Sequence, residues 1–391
     1  MKINKHCFSN GLRLVHHEDT STQMVALNIV YDVGARDEHP EHTGFAHLFE
    51  HLMFGGSAHI PDYDTPLQLA GGENNAWTNN DITNYYLTVP KPNVETAFWL
   101  ESDRMLELAF SEQSLEVQRG VVMEEFKQRC LNQPYGDVGH LLRPLAFRVH
   151  PYRWPTIGKE LSHIEQATLD EVKSFFYRFY APNNAVLAVT GNISWDETVR
   201  LTEKWFAAIP RRDVPVRRLP QEPEQTQERR LTVERNVPLD ALFMGYHMCS
   251  RESADYYAFD ILSDILSNGR SSRLNRRLVQ EQNIFSGIDA YISGTRDAGL
   301  LQISGKPAAG VSLEQAEAAV RKELEELRQS PVGEQELEKV KNKFESTQIF
   351  GNINYLNVAT NLAWFELTGK AEDIDLEVCL LYTSDAADEG L

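Results

Sequence analysis

The chain has 391 residues, 42% of them hydrophobic and 24% charged, which is ample for two or three domains with cores of their own. A formal net charge of −19 excludes a general binder of nucleic acid or of anionic membranes, since both need a basic footprint. The four cysteines, Cys7, Cys130, Cys249 and Cys379, include no C-x-x-C pair, so neither a disulfide scaffold nor a cysteine zinc site is expected. The N-terminal stretch MKINKHCFSNGLRLVHHEDT has no apolar signal-peptide core, and no run of about 18 apolar residues occurs. The expected location is the cytoplasm.

Two stretches share an order of elements. In the first, LRLVHHED and MVALNIVYDVG read as strands, a helix is expected from about Thr43 to Phe54, and NYYLTV alternates like a strand. NVETAFWLESDRMLELAF, SLEVQRGVVMEEFKQRC, TLDEVKSFFYRFY and SWDETVRLTEKWFAAI read as helices, with the strand NAVLAVTG between the last two. From Pro210 to Arg230 the chain is rich in Pro, Gln, Glu and Arg, and its prolines oppose regular structure. The arginine cluster RRDVPVRR within it is expected to be solvated. After this linker RRLTVERN and ALFMGYHM read as strands, and Tyr256 to Gln282 as helix broken near Gly269. GIDAYISG and GLLQISG follow as strands, then two amphipathic helices rich in i,i+4 charge pairs. The expected domains are 1–213, a linker at 214–230, and a related second domain at 231–378. The end, CLLYTSDAADEGL (379–391), breaks the pattern and is expected to be a non-native tail, leaving the second domain truncated.

The chemistry concentrates in GFAHLFEHLMFGG. On a helix His47 and His51 project from one side one turn apart, and Glu50 lies beside them. Phe45, Leu48, Phe49 and Leu52 form an apolar stripe facing the core. Two neutral imidazoles one turn apart can share a divalent ion, and zinc suits nitrogen ligands. A neighbouring glutamate can take a proton from a metal-activated water and pass it to a leaving amine. The pattern is H-E-x-x-H in reverse, H-x-x-E-H. Catalytic zinc takes three protein ligands, so a third is needed. Glu124 and Glu125 in VQRGVVMEEFKQ are the candidates, and periodicity does not choose between them because adjacent helical residues point about 100° apart. His16, His17, His42 and His59 read as ordinary polar residues.

H-x-x-E-H followed by this glutamate-bearing stretch resembles the pitrilysin/insulinase family of zinc metallopeptidases, the inverzincins, in its zinc-binding-subunit type, similar to the mitochondrial processing peptidase beta subunit. The family pattern E-x-x-x-V-x-x-E, set with its valine on Val122, implies Glu125 as the third zinc ligand beside His47 and His51, with Glu50 as the catalytic base. The first glutamate of that pattern falls on Gln118, a departure in a group that would support the ligands. The stretch GGENNAWTNNDITNYYLTV resembles the strand on which the family docks peptides, implying substrate binding at Asn75, Ala76, Trp77 and Thr78. The implied fold is α+β: two homologous α/β domains, each a mostly antiparallel sheet packed with helices, forming one half of a clamshell.

The family also requires an arginine and a tyrosine in L-R-x-x-x-x-x-x-Y from the opposing half, to bind substrate and the oxyanion. The matching stretch here, LVQEQNIFS, has Val279 and Ser286 at those places. The expectation is a zinc-dependent endopeptidase subunit, one Zn2+ per chain, acting on peptides or unfolded polypeptides. A homologous subunit or a fused second half would supply the missing pair. Two alternatives stay open: a catalytically inactive scaffold subunit of the family, and a zinc hydrolase acting on something other than peptides.

Overall fold

The computed structural model describes residues 1–377, so the expected tail at 379–391, Cys379 included, lies outside the described residues. The described residues divide into two units, Met1–Gln227 with Gly351–Asp375, and Glu228–Phe350 with Leu376 and Glu377.

Unit 1 carries six strands: β1 (Asn4–Cys7), β2 (Arg13–Glu18), β3 (Met24–Tyr31), β4 (Glu73–Thr78), β5 (Thr83–Pro90) and β6 (Ala185–Gly191). Their order in the sheet is β1-β2-β6-β3-β5-β4. Neighbours pair antiparallel except β2 and β6, which run parallel. The central strands β3 and β6 are almost wholly apolar because both faces of the sheet are covered. Eight helices precede the linker: α1 (Phe45–Leu52), α2 (Asp64–Leu69), α3 (Val94–Leu106), α4 (Glu112–Phe126), α5 (Val138–Ala146), α6 (Leu161–Glu165), α7 (Leu169–Phe179) and α8 (Trp195–Phe206). Leu27, Ile29 and Tyr31 on one face of the sheet join Phe49, Phe98, Val122 and Phe176 from four of these helices in a single core.

Unit 2 runs β7 (Leu242–Met248), α9 (Tyr256–Ser267), β8 (Phe285–Ile292), β9 (Gly299–Pro307), α10 (Leu313–Gln329) and α11 (Glu334–Gly351). Its sheet is antiparallel in the order β7-β9-β8. The helix expected through Gln282 breaks at Gly269, whose φ of +99° suits glycine, and resumes as a π-helical turn over Asn275–Glu281.

Three expectations are corrected. Residues 355–368 lie within the expected second domain with no helix assigned to them; they form the last helix, α12 (Tyr355–Thr368), and belong to unit 1. Val358, Ala359, Leu362 and Ala363 cover the second face of its sheet against Val15, Ala26, Val30, Val186 and Ala188. Second, RRLTVERN forms no strand. Arg230 is instead held by ion pairs to Glu228 and Glu317, and Leu231 and Val233 lie exposed. Third, the arginines after Pro210 are not simply solvated. The Arg212 guanidinium donates to the carbonyls of Tyr180 at 2.6 Å and Leu106 at 2.7 Å, and Arg217 donates to Asp37 at 2.6 Å. Glu222 accepts the backbone N–H groups of Arg148, Val149 and His150. A proline-rich segment has few backbone partners of its own, so side chains fasten it to unit 1.

Candidate metal centre

Helix α1 starts by an unusual route. Gly44 precedes it with φ +88°, and a Cβ there would sit 2.7 Å from Ile164 Cδ1 and 2.9 Å from the Ile157 carbonyl oxygen, so glycine is required. Glycine has no side chain to cap the helix, and Glu38 does it instead. The buried Glu38 carboxylate accepts N–H from Gly44 and from Ala46, each at 2.9 Å. Phe45, Leu48, Phe49 and Leu52 are buried as the stripe predicts. His47 is buried too, only 7% exposed, so α1 lies deeper than a helix with one polar outer face.

The structure brings His47, His51 and Glu125 together and leaves Glu124 out. Their ligand atoms all lie within 4.8 Å of one another, the only such group among the described residues. Glu125 Oε2 is 3.4 Å from His47 Nε2 and 3.3 Å from His51 Nε2. Glu124 faces away and pairs with Lys127 at 2.6 Å. Burial pushes His47 down to about 4, so its imidazole is neutral near pH 7. The hydrogen bond from His51, together with the charge of Arg129, holds Glu125 below the usual carboxylate range against the opposing effect of burial. Two imidazole nitrogens and a carboxylate oxygen converging this closely suit a shared cation, which would replace the proton between His51 and Glu125. His47 Nδ1 is buried and lacks the acceptor that a metal-ligating histidine usually has at its second ring nitrogen. The donor set, two imidazoles and a carboxylate, fits zinc.

Glu50 stands beside the cluster, half-buried. Its Oε2 accepts a 2.7 Å hydrogen bond from Thr78 Oγ1. Burial raises its pKa while the Thr78 hydroxyl opposes the rise. Thr78 ends β4, which pairs with β5 from Glu73↔Thr88 to Thr78↔Thr83 and with no other strand among the described residues. Asn75, Ala76 and Trp77 thus lie on an open sheet edge that leads to Glu50. The bond from Thr78 to Glu50 was not foreseen from sequence, where Thr78 read only as part of a docking strand. Gln118 makes no hydrogen bond to His47, His51 or Glu125; its Nε2 lies 3.7 Å from where a Cβ on Gly55 would be. Arg129 pairs with Glu125 Oε1 at 2.8 Å, a contact whose only sequence signal is i,i+4 acid–base spacing. The four nearby histidines read as ordinary polar residues have partners elsewhere, His17 Nδ1 meeting the Lys2 carbonyl at 2.9 Å. His16 Nε2 meets the Ile193 carbonyl at 2.9 Å, His42 pairs with Glu171, and His59 with Asp103.

In unit 2 Val279 packs against the apolar core, and the Ser286 hydroxyl donates to the Lys306 carbonyl at 3.0 Å. No helix among the described residues is long and apolar enough to cross a membrane.

Comparison with known proteins identifies relatives of the chain and of its fold. The family model described as Insulinase (Peptidase family M16) matches residues 13–158, which contain all three ligand candidates, and the one described as Peptidase M16 inactive domain matches 166–344. The zinc protease PqqE of Helicobacter pylori is 28% identical over 338 residues, covering 85% of this chain and 76% of that protein. A solved protease from Helicobacter pylori, 26% identical, superposes with a TM-score of 0.92 over 99% of this chain and 94% of its own. The periplasmic protease PqqL from Escherichia coli shares the fold at a TM-score of 0.75 and 19% identity; 97% of this chain matches 45% of that one. Two models of one family thus take up most of the sequence, and the chain belongs to the insulinase family of peptidases, M16.

Proposed function

We propose that this chain is a zinc-dependent endopeptidase subunit acting on peptides or unfolded polypeptides. The observation that carries this reading is the convergence of His47, His51 and Glu125 within 4.8 Å, with Glu50 alongside. Those three residues would hold one zinc ion. When bound, zinc supplies Lewis acidity, polarising a peptide carbonyl and acidifying water. Glu50 supplies the proton chemistry. Thr78 occupies its Oε2, which leaves Oε1 to take a proton from the attacking water and return it to the leaving nitrogen. The open edge of β4, with Asn75, Ala76 and Trp77, would hold the substrate backbone extended by strand addition. A neutral His47 keeps its lone pair available for a metal at physiological pH.

The oxyanion-stabilising arginine and tyrosine are proposed to come from a homologous subunit or a fused second half, because Val279 and Ser286 cannot donate as required. The match of this chain to about half of PqqL supports that arrangement. The cytoplasm is kept as the compartment in this reading, and fractionation against the periplasm tests it. A second reading, an inactive scaffold subunit, is favoured by the same Val279 and Ser286 and by the inactive-domain model over 166–344. Zinc content and peptide hydrolysis, measured for wild type and Glu50→Gln with and without a homologous partner subunit, separate the two. The enzyme reading expects one zinc in both proteins and a rate lower by about 100-fold or more in Glu50→Gln. Absence of stoichiometric zinc in wild type, or equal rates in both, overturns it.

A further inference from the structure

We infer that Arg129 is the positioning residue for Glu125: it holds one carboxylate oxygen and so aims the other between the two imidazoles. This rests on the reading of His47, His51 and Glu125 as a zinc site. The two oxygens of Glu125 have different neighbours. Oε1 meets Arg129 Nη1 at 2.8 Å, while Oε2 faces His47 Nε2 at 3.4 Å and His51 Nε2 at 3.3 Å. A carboxylate free to rotate about its last bond would present either oxygen, or both; one fixed by a guanidinium presents one.

The backbone that carries Arg129 is itself fixed. Directly after Glu125 and Phe126, the helix widens into a π-helical turn over Lys127–Leu131, a feature frequent at functional sites. The Arg129 carbonyl accepts Gln133 Nε2 at 2.7 Å. Gly136 packs over the same carbonyl so closely that a Cβ there would lie 2.2 Å from its oxygen. Cys130, 8% exposed, anchors the turn to the interior. Arg129 therefore fills the supporting place that the family pattern leads one to seek at Gln118, which makes no bond to the ligands.

A mere neighbouring charge and a positioning group predict opposite outcomes. As a charge alone, Arg129 repels a metal cation, and its removal strengthens metal binding. As a positioning group its removal loosens Glu125 and weakens binding, by about 10-fold on the scale of other outer partners of metal ligands. Arg129 is 67% exposed on its side chain, so its loss should leave the stability of the metal-free chain nearly unchanged.

The test uses the full chain, with zinc affinity read by competition against a chromophoric chelator. Cobalt(II) replaces zinc for visible spectroscopy. Wild type, Arg129→Gln and Arg129→Lys are compared, with melting of each metal-free protein as the control for folding. The expected result is a zinc affinity about 10-fold lower in Arg129→Gln, a changed cobalt spectrum, and partial recovery of both in Arg129→Lys, which keeps the charge without the planar fork. Arg129→Gln binding zinc as tightly as wild type or more tightly overturns the inference, and so does weaker binding with an unchanged cobalt spectrum. Wild type binding no stoichiometric zinc overturns the zinc reading itself, a result distinct from either of these.

Discussion

The helices α1 and α9 hold matching places in the two units, each the first α-helix after a long strand, β3 in one and β7 in the other. Each carries a polar trio at the same spacing: His47, Glu50 and His51 on α1, Asp260, Ser263 and Asp264 on α9. The spacing is shared and the chemistry is not. On α1 the trio offers two nitrogen donors and meets the Glu125 carboxylate from α4, the set proposed to hold zinc. On α9 burial, and then the charge of Asp264, push Asp260 up to about 6, and burial raises Asp264 as well. The Asp264 carboxylate one turn away adds to the burial of Asp260, and the nearby Arg251, paired with Glu377, offsets this only in part. A repeated helix position therefore makes a metal site only where the residue types suit the ion and a second helix completes the set.

The largest expected effect is the loss of that completeness. His51→Ala should lower zinc affinity by more than about 100-fold, beyond the range seen for outer partners of metal ligands. Asp264→Ala, at the matching place in unit 2, should leave one zinc per chain. Metal analysis after dialysis reads both. Zinc retained in His51→Ala, or lost in Asp264→Ala, would show that the two helices do not divide the chemistry in this way.

A smaller effect concerns the base. Ser263 has no counterpart to the bond that Glu50 receives from Thr78; its hydroxyl donates to the Asp260 carbonyl on its own helix at 2.9 Å. A hydrogen bond to a charged group is worth about 1.5–3 kcal/mol, so Thr78→Val should lower kcat by about 10- to 100-fold. KM and zinc content should stay as in wild type, and Thr78→Ser should restore the rate. Steady-state kinetics with the partner subunit present measure this. A wild-type kcat in Thr78→Val would make Thr78 a docking residue only.

The contrast also explains what the sequence could and could not reveal. The helix around His47 was legible because its apolar stripe and polar trio repeat at helical spacing. The choice of Glu125 over Glu124 needed the family pattern, and its physical reason lies in three dimensions: Glu124 points outward to Lys127. The contact of Thr78 with Glu50 links residues 28 apart in sequence, and nothing local encodes it. Helix α12 escaped for a different reason. Its buried residues Val358, Ala359, Leu362, Ala363 and Leu367 share one face on the sheet of unit 1, but the partly buried Tyr355, Leu356, Trp364 and Phe365 spread apolar character around the rest of the helix and blur the one-sided periodicity that marks a surface helix. Arg212 and Arg217 read as solvated because charge clusters usually are, yet the carbonyls and carboxylates that receive them come from distant segments. RRLTVERN had strand-like alternation but lacks a neighbouring strand, and alternation alone does not make a sheet.

The smallest effect sharpens the comparison from the side of unit 2. The pKa of Asp260 in the folded chain, about 6, lies above its ordinary 3.8, so the folded state holds this proton more tightly than the unfolded one. The stability linked to it is complete below about pH 4 and is lost as pH rises through about 6. Asp260→Asn cannot ionise and escapes that loss. The full displacement corresponds to at most about 3 kcal/mol, and partial exposure of Asp260 reduces the expected gain at pH 8 to about 1 kcal/mol. Urea unfolding of wild type and Asp260→Asn at pH 4 and pH 8 should show the variant more stable only at the higher pH. An equal difference at both would mean that Asp260 is not held in its acid form by burial and by Asp264. The α9 trio would then differ from the α1 trio in residue type alone, without the charge of Asp264 acting on Asp260.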